Sequence, residues 1–147
     1  MHMYVPEIAK CSIALSDVLL HGSGLSEHDV ELAIITAARE MDCAYVWASH
    51  VVSGLKAGLR PEAIDIVANF GNIDELTDGE AIIVQYGREM LGSHNVAQDT
   101  FDSAVTTLGN SGTIALGALM GYYSMLSCTL IATDMQPSDG APVLPSR

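Results

Sequence analysis

From Ser103 to Thr133 the chain carries no charged residue, an interval long enough to cross the hydrocarbon layer of a bilayer as one helix. That stretch restricts the fold more than any other, because such a helix must be covered by lipid, by its own chain or by another copy. Asn110, Ser111, Thr113, Ser124, Ser127 and Thr129 are scattered through it, and no cluster of Lys or Arg flanks either end to set a topology. Gly117 and Gly121, four residues apart, permit close helix approach, which serves a water-soluble bundle or an oligomer interface as well as a membrane dimer. The expectation is a buried helix at the centre of the protein and no membrane span.

Elsewhere Gly and Pro punctuate helical patterns, and sustained period-two alternation is absent, so the fold class is all-α with about six to seven helices. Pro6 to Leu20 places Ile8, Cys11, Ile13, Leu15, Val18 and Leu19 at spacings that suit one buried helical face, before His21, Gly22 and Gly24 interrupt it. Ser26 with Asp29 opens a second helix running to about Met41, with Val30, Ile34, Ala37 and Ala38 on one side and Glu31 near its edge. Asp42 or Cys43 starts a third that continues to Lys56, where Gly58 stops it. Pro61 begins a short fourth helix ending near Asn69. Thr77 and Glu80 form a capping box for a fifth from Gly79 to about Leu91. A sixth covers Asn95 to Leu108, and Asn110 to Thr133 is the last. Residues 1–135 are thus expected as a single all-α domain, and residues 136–147 as a Pro-rich tail that is either an extended arm or disordered.

The chain has 147 residues, 49% of them hydrophobic, enough for one core without metals or disulfides. With 18 Asp and Glu against six Lys and Arg, it lacks the electrostatic basis for nucleic-acid binding. A polyanionic small molecule would be repelled too, unless Arg39, Lys56, Arg60 or Arg88 offset the field. Cys11, Cys43 and Cys128 are odd in number and far apart, unlike a secreted disulfide framework, and Met1 to Tyr4 show no basic start to a signal peptide. A cytoplasmic location is expected.

One segment can concentrate chemistry. On a helix Cys43, Val46 or Trp47, and His50 share a face, so a thiol and an imidazole can border one pocket. Glu31 precedes His50 by 19 residues, roughly 28 Å along one straight helix, so the two meet only if the chain turns back near Asp42. Each residue also has a plain structural reading. His50 can be a hydrogen-bonded buried residue, Glu31 a solvated helix former, Cys43 a small buried hydrophobe, and Tyr45 and Trp47 core packing or a substrate wall. His94 suits the end of a helix. No His-x-x-x-His, Glu-x-x-His or Cys-x-x-Cys is present, so no metal site and no cofactor are expected; phosphate-loop and nucleophile-elbow patterns are absent as well.

Glu31 followed by Cys43-x-x-Val46-x-x-x-His50 resembles the signature of the carboxymuconolactone decarboxylase and alkylhydroperoxidase D superfamily. In the peroxidase branch that signature is a Glu, then Cys-x-x-Cys-x-x-x-His with two redox-active thiols. Here Val46 stands at the second cysteine, so the resemblance is to the decarboxylase-type branch. Thr77 to Glu89, Val96 to Phe101 and Leu116 to Tyr123 are similar to the second half of such members, so that the likeness runs from about Ser26 to Thr133. The resemblance implies an orthogonal helical bundle, a hairpin that brings Glu31 and His50 into one proton relay, and a homotrimer or homohexamer.

Three functions compete at this point. The leading one is a cofactor-independent carboxy-lyase acting on a small carboxylated or lactone-type compound. In it His50 transfers the proton, Glu31 orients His50, Cys43, Trp47 and Tyr45 line the pocket, and Arg39 or Arg88 anchors a substrate carboxylate. The second is a thiol peroxidase using Cys43 alone or with Cys11 or Cys128, although Cys43 has no resolving thiol three residues on. The third is a non-catalytic oligomeric binding module.

Overall fold

The computed structural model describes residues 5–147, and the reading of Met1 to Tyr4 lies outside them. Those residues form six α-helices with no strand: α1 (Pro6–His21), α2 (Glu27–Glu40), α3 (Ala44–Lys56), α4 (Pro61–Ala68), α5 (Asp78–Gly87) and α6 (Gln98–Ala132). A 3₁₀ turn, Ile73–Glu75, precedes α5 and a π-helical segment, Arg88–Ser93, follows it.

The centre of the molecule is α2. Leu32, Ala33, Ile34, Ile35, Ala37 and Ala38 have no exposed surface, and α3, α4, α5 and α6 all pack on this helix. Small side chains at Ala33, Thr36, Ala37 and Ala38 let neighbours approach from every side, while Leu32, Ile34 and Ile35 supply the apolar area. The start is fixed by the Ser26 hydroxyl, which accepts from the Asp29 N–H at 3.1 Å. Its end is a Schellman-type reversal. Asp42 takes a left-handed conformation (φ 51°), and the Cys43 N–H donates to the Ala38 carbonyl at 2.9 Å. Asp tolerates that conformation better than most residues do, and α3 then runs back along α2.

Two helices depart from the pattern reading. The uncharged segment is not covered all round. Gln98–Ala132 is the one described helix long and apolar enough to cross a membrane by length and composition. Yet it bends at Gly109 (φ 72°), a conformation open to glycine, where a break between Leu108 and Asn110 is expected. Beyond the bend Leu116, Leu119 and Met120 are fully buried, whereas Ile114, Met125 and Ile131 are exposed.

In α1 most of the stripe expected to be buried is exposed, and of its residues Leu19 alone is buried. Ala9, Ser12, Ser16 and Leu19 face the protein, with only Ala9 and Leu19 fully buried. The larger stripe, Ile8, Cys11, Leu15 and Val18, faces outward together with Ile13. The inward side makes a polar contact with α6, the hydroxyls of Ser12 and Tyr122 lying 2.9 Å apart.

The Pro-rich tail is an extended arm lying against the body of the protein. Arg39, 2% exposed, donates through Nη1 to the carbonyls of Ala68 at 3.3 Å and Pro145 at 2.6 Å and pairs with Asp42. Arg147 donates to the Glu40 carbonyl at 2.9 Å and lies 2.8 Å from Asp42 Oδ2. Arg88 donates to the carbonyls of Gly71 and Ile66 at 2.9 and 3.0 Å. All three guanidinium groups stand within 6 Å of the Phe70 ring centre, at 5.0, 5.8 and 4.9 Å. Burial raises the Glu40 carboxyl above its ordinary range, and Arg147, Arg88 and Arg39 pull it part of the way back.

Replacing Arg39 by Met keeps the bulk but leaves two carbonyls and the Asp42 carboxylate without their donor. We expect Arg39→Met to lose about 2–4 kcal/mol in urea unfolding and to speed proteolysis of residues 136–147. An unchanged midpoint and an uncut tail would contradict this anchoring role.

Candidate functional site

The antiparallel course of α2 and α3 brings Glu31 and His50 together. His50 Nδ1 lies 2.8 Å from Glu31 Oε2, and the two side chains are 20% and 15% exposed. An ionised carboxylate only accepts, so the ring proton at this contact sits on Nδ1 and the lone pair on Nε2. His50 Nε2 has no protein partner among the described residues and is not one of the sealed, unpaired side-chain atoms, which are Arg39 Nε and Ser127 Oγ. The nitrogen able to exchange a proton with a bound molecule is therefore the free one. Gly54 makes room for Leu59: a Cβ there would come within 2.6 Å of Leu59 Cδ1, while Glu31 Cβ would lie at an ordinary contact distance of 3.7 Å.

Two tyrosines of α6 back this pair, and motif reading did not single them out as site residues. The rings of Tyr123 and His50 meet edge to face, 5.0 Å between centres at 82°. Tyr122 meets Tyr123 in the same way at 5.3 Å and reaches Ser12 on α1. Burial, then the charge of Glu31 and the neighbouring Tyr122, push the Tyr123 hydroxyl far above its ordinary value. It stays a neutral phenol that holds the imidazole plane. The available signal was two adjacent aromatics, Tyr122 and Tyr123, in a chain with only 5% aromatic residues.

Beside Glu31 opens a cavity of about 290 Å³, bounded by Leu20 and His21 of α1, Glu27 and Val30 of α2, and Ser53 and Lys56 of α3. Its volume suits a small organic molecule. The other residues proposed from sequence lie elsewhere. Cys43, Val46 and Trp47 are 2–3% exposed and belong to the core, because the face of α3 that they share points inward and His50 stands at its edge. Tyr45, five residues before His50 and about 140° round the helix, lines a separate cleft with Ser49, Val52 and the tail segment 137–142. Arg39 and Arg88 do not reach the cavity either. Arg39 follows Glu31 by eight residues, about 12 Å along α2, and both guanidinium groups are engaged around Phe70. Among the described residues no three His, Cys, Asp or Glu side chains are grouped as a metal site would require.

A hairpin of two helices carrying Glu31 and His50 at hydrogen-bond distance fits one family in particular. The carboxymuconolactone decarboxylase family model matches residues 6–82, more than half of the chain. This chain belongs to that family. The match stops within α5, so the likeness suggested for the segments from Val96 to Tyr123 is not carried by the family model and rests on the fold. In structure the chain is similar to a protein of unknown function from Agrobacterium tumefaciens, a candidate AhpD antioxidant-defence protein. The TM-score is 0.84 at 16% identity, over 93% of this chain and 94% of that one. That likeness shows a shared fold, the orthogonal all-helical bundle of the alkylhydroperoxidase D type. No curated protein matches the chain in sequence.

Cys43 is buried and unpaired, and Cys11 and Cys128 are exposed and unpaired. In a folded sample titrated with a chromogenic disulfide reagent, we expect Cys43 to react only as fast as the protein unfolds. Rapid modification of Cys43, read by mass spectrometry, would show a thiol far more accessible than its surroundings allow.

Proposed function

We propose that this member of the family is a cofactor-independent acid–base enzyme, a decarboxylase-like lyase for small carboxylated or lactone-type compounds. The observation that carries this reading is the 2.8 Å contact from Glu31 to His50 Nδ1 beside an open cavity, which leaves Nε2 free to move a proton. Loss of CO₂ breaks a carbon–carbon bond and leaves its electron pair on the substrate carbon, where an adjacent carbonyl holds it as an enolate. His50, protonated at Nε2, delivers a proton to that carbon, and Glu31 stabilises the imidazolium before transfer and fixes the tautomer after it. Tyr123 keeps the ring plane. The burial of Cys43 and the core position of Val46 speak against the thiol peroxidase reading.

Solvent deuterium exchange next to the carbonyl of small keto acids and lactones tests the proposal before the natural substrate is known. We expect the wild type to catalyse exchange for part of such a panel, and His50→Gln to lose at least about a hundredfold. Glu31→Gln should fall between them. Full exchange by His50→Gln, or none by the wild type, would sink the assignment.

We further propose that the chain assembles with copies of itself through α1 and the outer face of α6. Ile8, Cys11 and Leu15 with Met125 line an almost wholly apolar groove of about 410 Å³, and Ile13, Val18 and Ile131 extend the exposed apolar surface. The family resemblance implies a trimer or hexamer. Light scattering should give a multiple of the chain mass for the wild type and the single-chain mass for Leu15→Glu. A wild type that is monomeric at micromolar concentration would refute assembly.

A further inference from the structure

Of the six Lys and Arg in the chain, four are spent on the fold. Arg39 holds Asp42 and two carbonyls, Arg60 pairs with Glu80 at 2.7 Å, Arg88 holds two carbonyls, and Arg147 spans Asp42 and Glu40. Lys10 and Lys56 have no ion-pair partner among the described residues. Lys10 lies on α1, 11 residues before His21 and so about 16 Å away along that helix. Lys56 stands on the wall of the cavity beside Glu31, on the last turn of α3.

From this distribution we infer that Lys56 is the residue that holds the carboxylate the substrate keeps, and that a second carboxylate in the cavity is bound at a penalty. The inference rests on the acid–base reading of the same site and says how its substrate is held: an acid with one carboxylate to lose and one to keep, whose monocarboxylate product binds better than the precursor. A lysine supplies a compact charge on a flexible stem, able to meet a carboxylate at the mouth while the rest of the molecule reaches toward Glu31 and His50. His21, across the cavity at the end of α1, adds a second polar contact.

The preference for a single carboxylate follows from the other walls. Glu27 and Glu31 also face the cavity, so a second substrate carboxylate has no free cation to meet and two like charges to approach. In a lyase cycle this has a direction. Lys56 keeps the carboxylate that remains, while a leaving carboxylate placed toward Glu31 is relieved of repulsion when it departs as neutral CO₂. The product acid is then held better than a dicarboxylate precursor.

Binding is measurable with stand-in acids. Levulinate, its methyl ester and 2-oxoglutarate are titrated into the isotope-labelled full chain, following the amide resonances of Glu31, His50 and Lys56. We expect levulinate to bind more tightly than either of the others, and Lys56→Gln to weaken it by about fivefold or more while leaving the ester unaffected. Lys10→Gln should change nothing. Equal binding of acid and ester, an unaltered affinity in Lys56→Gln, tighter binding of 2-oxoglutarate, or no perturbation of these resonances would each overturn the inference. The underlying reading fails separately: His50-dependent deuterium exchange with Lys56-independent binding leaves the acid–base site standing. The reverse pattern leaves an anion site without the chemistry.

Discussion

The reversal at Asp42 is the constraint on which the site depends. Glu31 lies 11 residues before it and His50 eight after it, so at 1.5 Å per residue the two arms measure about 16 and 12 Å. Arms that differ by less than one helical turn, antiparallel and in contact, put a carboxylate and an imidazole within reach of each other's side chains. The left-handed residue and the Cys43 N–H bond to Ala38 set where the turn falls. Arg39 and Arg147 both reach Asp42, so the reversal is tied in turn to α4 and to the C-terminal arm. Arg39, which looks from sequence like a substrate anchor, is in fact part of what keeps this corner closed.

How much of this could be read beforehand follows from what kind of force places each residue. Caps and breaks are local, and they were legible: Ser26, Pro61, Thr77 with Glu80, and the interruption at Gly109 all stand where their chemistry demands. The Glu31 and His50 pair came from a motif, since nothing local says that residues 19 apart should touch. For Cys43 and Trp47 the sequence leaves a core and a pocket reading open, because one helical face need not be one environment. Cys43, Val46 and Trp47 share a face with His50, yet burial along that face changes from core at Trp47 to partly exposed at His50 within a single turn. Arg39 and Arg88 were chosen for charge, and charge cannot distinguish a cation facing a ligand from one facing helix-end carbonyls.

The exposed stripe of α1 has the same lesson at the level of a whole helix. Periodicity reveals that an apolar stripe exists, but it does not say whether the chain's own core covers it. Here a stripe of Ala9, Ser12, Ser16 and Leu19 runs beside the bulkier one and faces the protein, with a hydroxyl contact from Ser12 to Tyr122. That contact also couples α1 to the site, since Tyr122 packs on Tyr123 and Tyr123 on His50. Covering the outer stripe of α1 would hold this helix, and through it the tyrosine that fixes the imidazole plane.

A net charge of −12 appears at odds with an acid as ligand, and the placement of the cations resolves the conflict. Long-range repulsion between exposed charges is screened beyond roughly 8–10 Å in physiological salt, so what a carboxylate meets on entering a cavity is decided by its nearest neighbours. Four of the six basic side chains are withdrawn to the corner around Phe70 and the Arg60–Glu80 pair. The filter is therefore the cavity itself, where Glu27 and Glu31 disfavour molecules of several negative charges at close range. A monoanion enters with the least penalty, and Lys56 is the one cavity-lining lysine that can receive it.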